Sequence, residues 1–246
     1  MPLCFAHPAA VIPINSVNKH WFSLSGLVMG SITPDFEYFA RMKGISIFSH
    51  TWPGLFWFDM PLAMLLMVFY NDLIKNNMID HLPAFINRHV SAYKNADWPY
   101  FKYNWPKIIL SVFIGAATHI FWDGFTHSTG YFVQHIDFLA SSVNIAGHEV
   151  FVYSILQQLS TVLGIAFIAW AISKLPKGEV TSDKNVGLYW GLVAGFIVAT
   201  VIVRLFTGLK LNDVGDVLVT CVSGFLIGLI ITSCIVRKPR SLEGFA

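Results

Sequence analysis

Thr118-His119-Ile120-Phe121-Trp122-Asp123-Gly124-Phe125-Thr126-His127 stands at the exit of a long apolar run. It places His119, Asp123 and His127 at successive i, i+4 steps, each advancing about 40° round a helix, so the two imidazoles and the carboxylate share one stripe. Neutral imidazole nitrogen and carboxylate oxygen are the usual partners of zinc and related divalent ions, and neighbouring i, i+4 ligands can close on one ion. Three in a row cannot. His119 and His127 lie roughly 12 Å apart along a helix axis, whereas metal–ligand bonds are about 2 Å. The stripe therefore predicts two neighbouring ions with Asp123 between them. Read as structure alone, the same residues are polar groups at a helix end near a membrane interface, where Gly124 weakens the helix by roughly 1 kcal/mol relative to Ala.

The surrounding composition is that of an integral membrane protein. Of 246 residues, 55% are hydrophobic and 12% charged, against roughly 25% charged in an ordinary soluble domain, and the mean hydropathy is +0.60. A formal net charge of +2 without a dense Lys/Arg cluster argues against a nucleic-acid partner. Cys4, Cys221 and Cys234 form no paired framework and read as small buried hydrophobes. Lys19 is the first basic residue, so no charged n-region precedes an apolar run and the first residues are expected to be retained.

Working outward, residues 1–52 hold apolar pieces too short for the roughly 20 residues that a spanning helix needs, which predicts short helices at the interface. His7 before Pro8, Thr33-Pro34-Asp35 and Ser49-His50-Thr51 lie here; each fits a turn or helix cap as readily as a ligand. Spans are expected at about 53–70, 106–122, 151–172, 187–206 and 214–236. Asp59 interrupts the first, and an ionisable residue there usually faces the protein interior. Trp98, Tyr100, Phe101, Tyr103 and Trp105 read as an interfacial aromatic belt. Gly187, Gly191 and Gly195 in the fourth span, with Gly224 and Gly228 in the fifth, are small-residue stripes of the kind that let helix backbones approach. The fold expected is all-α, a helical bundle of about five spans with an N-terminal interfacial helical segment. Its parts are a metal-site membrane domain at 1–172 and a pair of packing helices at 173–246.

Five spans put residues 71–105, 173–186 and 237–246 on one side with ten Lys/Arg, against four on the other. That bias assigns the richer side to the cytoplasm. His7, Asp35, His50, His119, Asp123, His127 and His148 then all fall on the outer side, and the C-terminus on the cytoplasmic side.

The stretches His7-Pro8-Ala9-Ala10, Gly30-Ser31-Ile32-Thr33-Pro34-Asp35, Ser49-His50-Thr51 with Pro53-Gly54-Leu55, the Thr118–His127 motif and Leu156-Gln157-Gln158-Leu159-Ser160 together resemble bacterial membrane proteins grouped as domain of unknown function 4184, over about residues 1–170. That family is in turn similar to LexA-regulated inner-membrane metal-dependent hydrolases. The ligand order also resembles the zinc-dependent phospholipase C and P1-type nuclease superfamily. The resemblance implies His7, Asp35, His50, His119, Asp123 and His127 as metal ligands, with Asp35 or Asp123 bridging. Those soluble enzymes continue with a His-x-x-x-Glu pair on a helix, whereas His148 and Glu149 are adjacent here, about 100° apart on a helix. This departs from the pattern that holds the superfamily's third metal.

The expectation is a multi-pass protein of the bacterial inner membrane with one or two divalent ions, zinc foremost, in an outer-face site. Ligands come from His7, Asp35, His50, His119, Asp123, His127 and His148, and Asp35 or Glu149 acts as base. The substrate expected is a phosphoester in a lipid or other small envelope molecule, with membrane lipid as partner. The rival readings are a non-catalytic metal-binding scaffold or carrier, and a structural protein whose histidines are merely interfacial.

Overall fold

A computed structural model describes residues 4–18, 20–94, 98–182 and 185–236. Met1, Lys19, Lys184, the basic tail at 237–246 with the C-terminus, and the side chain of Trp98 lie outside the described residues. The fold is all-α, with five helices among the described residues long and apolar enough to cross a membrane. Two short helices come first, α1 (Pro8–Val17) and α2 (Leu24–Ile32), then α3 (Phe36–Arg41). The spans are α4 (Trp52–Asp80), α5 (Trp105–Thr126), α6 (Val152–Ser173), α7 (Val186–Phe206) and α8 (Val214–Ile235). Between α5 and α6 lies a small hairpin, β1 (Ser142–Ile145) and β2 (His148–Phe151), paired antiparallel with Ile145 opposite His148.

Backbone contacts divide the chain into two units, residues 1–68 with 97–174 and residues 69–96 with 175–246. In the first, α2 lies directly on α5. A Cβ at Gly30 would come 2.8 Å from Val112 Cα, and one at Gly115 would come 2.8 Å from the Ser31 nitrogen. Only glycine permits that approach. Ser111 Oγ accepts from the Ser23 N–H at 2.8 Å and so ties the start of α2 to α5. Ala63, Met67, Ile108 and Val112 form the apolar core here, with Met29 of α2 packed against them. The first span runs longer than its apolar stretch suggests and widens into π-helix at Leu55–Asp59 and Tyr70–Ile74. The first widening stands where Pro61 withdraws an N–H from the helical ladder.

In the second unit α7 packs on α8 around Tyr189, Val193 and Leu229, and the Tyr189 hydroxyl meets Ser233 Oγ at 3.0 Å. The glycine stripes divide unequally. A Cβ at Gly228 would lie 3.0 Å from the Val193 carbonyl and one at Gly224 2.8 Å from Ile197 Cα, whereas Gly187, Gly191 and Gly195 would meet nothing within 4 Å. The stripe expected to draw α7 onto its neighbour therefore faces away from it, and α8 alone supplies the close approach. Gly228→Leu should lower the yield of folded protein at least severalfold and Gly191→Leu should leave it unchanged. Monodisperse recovery on size exclusion checks both.

Candidate metal centre

Three local features bring four candidate ligands together. Asp35 ends a 3-10 turn (Thr33–Asp35) that carries the chain from α2 into α3, and its carboxylate caps no helix. His50 sits in a loop at φ 60, a left-handed conformation costing a non-glycine residue about 1–3 kcal/mol. Thr51 beside it caps the first span by accepting the Gly54 N–H at 3.0 Å. His119 and Asp123 lie one turn apart on the buried face of α5.

One ligand atom from each of Asp35, His50, His119 and Asp123 lies within 4.8 Å of the others. His119 Nε2 is 3.3 Å from His50 Nε2, 3.2 Å from Asp123 Oδ2 and 3.6 Å from Asp35 Oδ1. His50 Nε2 is 3.3 Å from Asp123 Oδ2 and 3.4 Å from Asp35 Oδ1. Ligands about 2.0–2.1 Å from a tetrahedral ion lie about 3.3 Å from one another, so the spacing fits one divalent ion.

The hydrogen bonds behind the rings support the same fit. His119 Nδ1 is 2.7 Å from the Ser31 carbonyl, which can only accept, so Nδ1 carries the proton. In the neutral ring the Nε2 lone pair then faces the cluster. His50 Nδ1 has Ser49 Oγ at 3.0 Å, which can hold its ring in the same sense. Two imidazole nitrogens 3.3 Å apart beside two carboxylates are a donor set that can hold a divalent ion. Among the described residues the ion-pair partners of Asp35 and Asp123 are histidines. Burial alone would raise the Asp35 carboxyl, but His119 and His50 outweigh it and hold it well below the usual carboxylate range. Burial lowers His50, and hydrogen bonds to Asp123 and Asp35 outweigh that and raise it.

His7 and His127 approach Asp123 from its other oxygen. His7 Nε2 and His127 Nδ1 are each 3.6 Å from Oδ1. The His7 ring stacks on that of His119 with centroids 3.7 Å apart, and burial followed by the neighbouring His119 pushes it down to about 3, so it is neutral at pH 7. His7 Nε2, Asp35 Oδ2 and Asp123 Oδ1 are buried without a hydrogen-bond partner among the described residues. Such groups are costly unless something fills the gap. His127 departs from the straight-helix expectation. It terminates α5 as its C-cap in extended conformation, so its ring turns back toward Asp123 rather than standing 12 Å beyond His119 on the same helix. His148 and Glu149 lie on the exposed hairpin strand, and the four-atom group includes neither. Asp59, in the first π-helical widening, is 0% exposed, and neither carboxylate oxygen has a hydrogen-bond partner among the described residues.

Two features that position the site were not singled out from the sequence. Glu37 is 2% exposed. Its carboxylate accepts the N–H groups of Ile47 (2.9 Å), Phe48 (2.9 Å) and Ser49 (2.8 Å) and pairs with Arg41 (2.7 Å), pinning the loop that delivers His50. Burial pulls this carboxyl up, but those N–H groups and Arg41 hold it at about 2, so it stays ionised. The Ser31 carbonyl orients His119 because Gly30 and Gly115 let the two backbones meet; Gly26-x-x-x-Gly30 is the spacing that could have announced it.

An all-α membrane protein with a buried two-histidine, two-aspartate cluster is thus the class that fold and site define. The sequence profile of the family described as "Domain of unknown function (DUF4184)" matches residues 1–234, and the chain belongs to that family. The match continues past the last motif of the sequence analysis to take in most of α8. No curated protein and no solved structure matches the chain.

Proposed function

We propose that the protein is a membrane-embedded, metal-dependent hydrolase of a phosphoester in a lipid or envelope molecule, with its site at the outer face of the bacterial inner membrane. The observation that carries the reading is that His50 Nε2 and His119 Nε2 lie 3.3 Å apart and each lies 3.2–3.6 Å from both Asp35 Oδ1 and Asp123 Oδ2. The outer placement rests on the ten-to-four distribution of basic residues. A divalent ion such as zinc, held by these four residues, supplies Lewis acidity and lowers the pKa of water. His7 and His127, each 3.6 Å from Asp123 Oδ1, would be the residues to hold a second ion beside Asp123.

The chain's own contribution is orientation and proton handling. The Ser31 carbonyl keeps the His119 proton on Nδ1, and Glu37 holds the backbone around His50. Of the two candidate bases, Asp35 belongs to the four-atom group and Glu149 lies apart from it on the exposed strand. Access is on the His50 and His127 side, where side chains are 15% and 23% exposed against 0% for His119. Purified protein should carry zinc or another divalent ion and cleave a chromogenic phosphodiester, with activity lost on chelation and restored by the metal. Bound metal without turnover of that diester or of phospholipid would leave a metal-held scaffold as the function, and metal-free protein would end both readings.

A further inference from the structure

A cavity of ≈ 400 Å³ opens between α1, α5 and α6, within the range of about 300–1,000 Å³ typical of ligand pockets. Ala10 and Pro13 line it from α1, Trp122 from α5, and Leu163 and Phe167 from α6. Its polar lining residues are His7 and Ser160, and the Ser160 hydroxyl already donates to the Gln157 carbonyl at 3.0 Å. A cleft with so few polar partners is a poor host for water or a polar solute. Its wall on α6 belongs to a membrane span little covered by the rest of the protein, and Leu163 is exposed on it. The cavity therefore opens toward hydrocarbon. His7 also lines it, with its ring stacked on His119 and its Nε2 3.6 Å from Asp123.

We propose that this cavity holds one hydrocarbon chain of a membrane lipid and so brings that lipid's head group to the metal cluster. The chain-binding half stands on the cavity alone; the assignment of the head group as substrate rests on the hydrolase reading above. Apolar burial supplies the affinity, since each methylene moved from a disordered bilayer into a fitted cleft gains packing contacts. Selection follows from geometry, because a water-soluble phosphoester has nothing to place against Trp122 and Phe167. The substrate class is a single-site amphiphile with a phosphorylated head, entering sideways from the membrane.

The test uses the full chain in nanodiscs containing phosphatidylethanolamine with a diazirine near the end of one acyl chain. On irradiation, adducts should concentrate on peptides 9–13 and 160–167, and Ala10→Trp or Leu163→Trp, each of which fills the cleft from an exposed position, should reduce them severalfold without changing metal content. Adducts spread evenly over α7 and α8 as well, or undiminished in both filled variants, would overturn the proposal. Concentrated adducts on protein that binds no metal would sink the hydrolase reading while leaving the lipid-chain site intact.

Discussion

Purified His119→Ala and Asp123→Ala protein is expected to lose its divalent ion completely, while His127→Ala retains one equivalent. His119 contributes the Nε2 that lies 3.2–3.6 Å from the three other ligand atoms. Without it, two carboxylates and one imidazole remain, and the Ser31 carbonyl loses its donor. Asp123 faces both positions, Oδ2 toward His50 and His119 and Oδ1 toward His7 and His127, so its loss disables both. His127 touches only the Oδ1 side, and the four-atom group survives its removal. Asp123→Asn keeps the shape of the side chain, so metal loss there reports coordination rather than misfolding. Metal per chain by plasma emission, on protein of unchanged helicity, decides. Equal and complete loss in all variants including His127→Ala would mean a single ion shared by every ligand, and unchanged content throughout would rule the site out.

Glu37→Ala should be almost as damaging although Glu37 belongs to no ligand pair. Its carboxylate is the acceptor for three consecutive backbone N–H groups in the loop before His50. Leaving a buried donor unsatisfied costs about 1–3 kcal/mol each, enough to release the loop rather than bear the loss. His50 would then no longer be held in its left-handed conformation. Metal affinity should fall roughly 10- to 100-fold, the range seen when a residue orienting a ligand is removed, and thermal stability in detergent should fall with it. Glu37→Gln, which keeps one acceptor oxygen, should lie between. Titration with zinc under competition by a chromogenic chelator measures the effect; wild-type affinity in Glu37→Ala would show that the loop is held by other contacts.

The sequence made some of this legible and some not, for physical reasons. The spans announced themselves because each is a near-continuous apolar run, and bilayer thickness leaves few alternatives. The His119, Asp123 spacing was visible because i, i+4 on a helix is a fixed geometry. His127 is not legible in this way, because the i, i+4 spacing continues a helix through Gly124 to the last polar residue, whereas α5 ends one residue earlier and the ring turns back. Glu37 was invisible: a glutamate in a six-residue helix looks solvated, and nothing local says that a loop ten residues on will fold over it. The hairpin escaped for a similar reason. Its turn uses Ala146 and Gly147 at φ 52 and 87, and alanine is a weak signal for positive φ beside the more usual Asn-Gly. The α7 glycines show the reverse failure, a packing pattern present in sequence and turned away from its supposed partner.

The ligands of the cluster come from two places far apart along the chain, with His50 and His119 separated by 69 residues and their nitrogens 3.3 Å apart. An ion held between them is a removable cross-link. In the chain-entropy account, closing a loop of that size covalently restricts the unfolded chain by about 4 kcal/mol, and a coordinate bond acts in the same sense for as long as the ion stays. Metal supply would then govern the lifetime of the protein as well as its chemistry. A cell short of the ion would be left with a chain in which the His50 loop loses that link to α5, while α2 and the Asp35 turn stay packed on it through Gly30, Gly115 and Ser31.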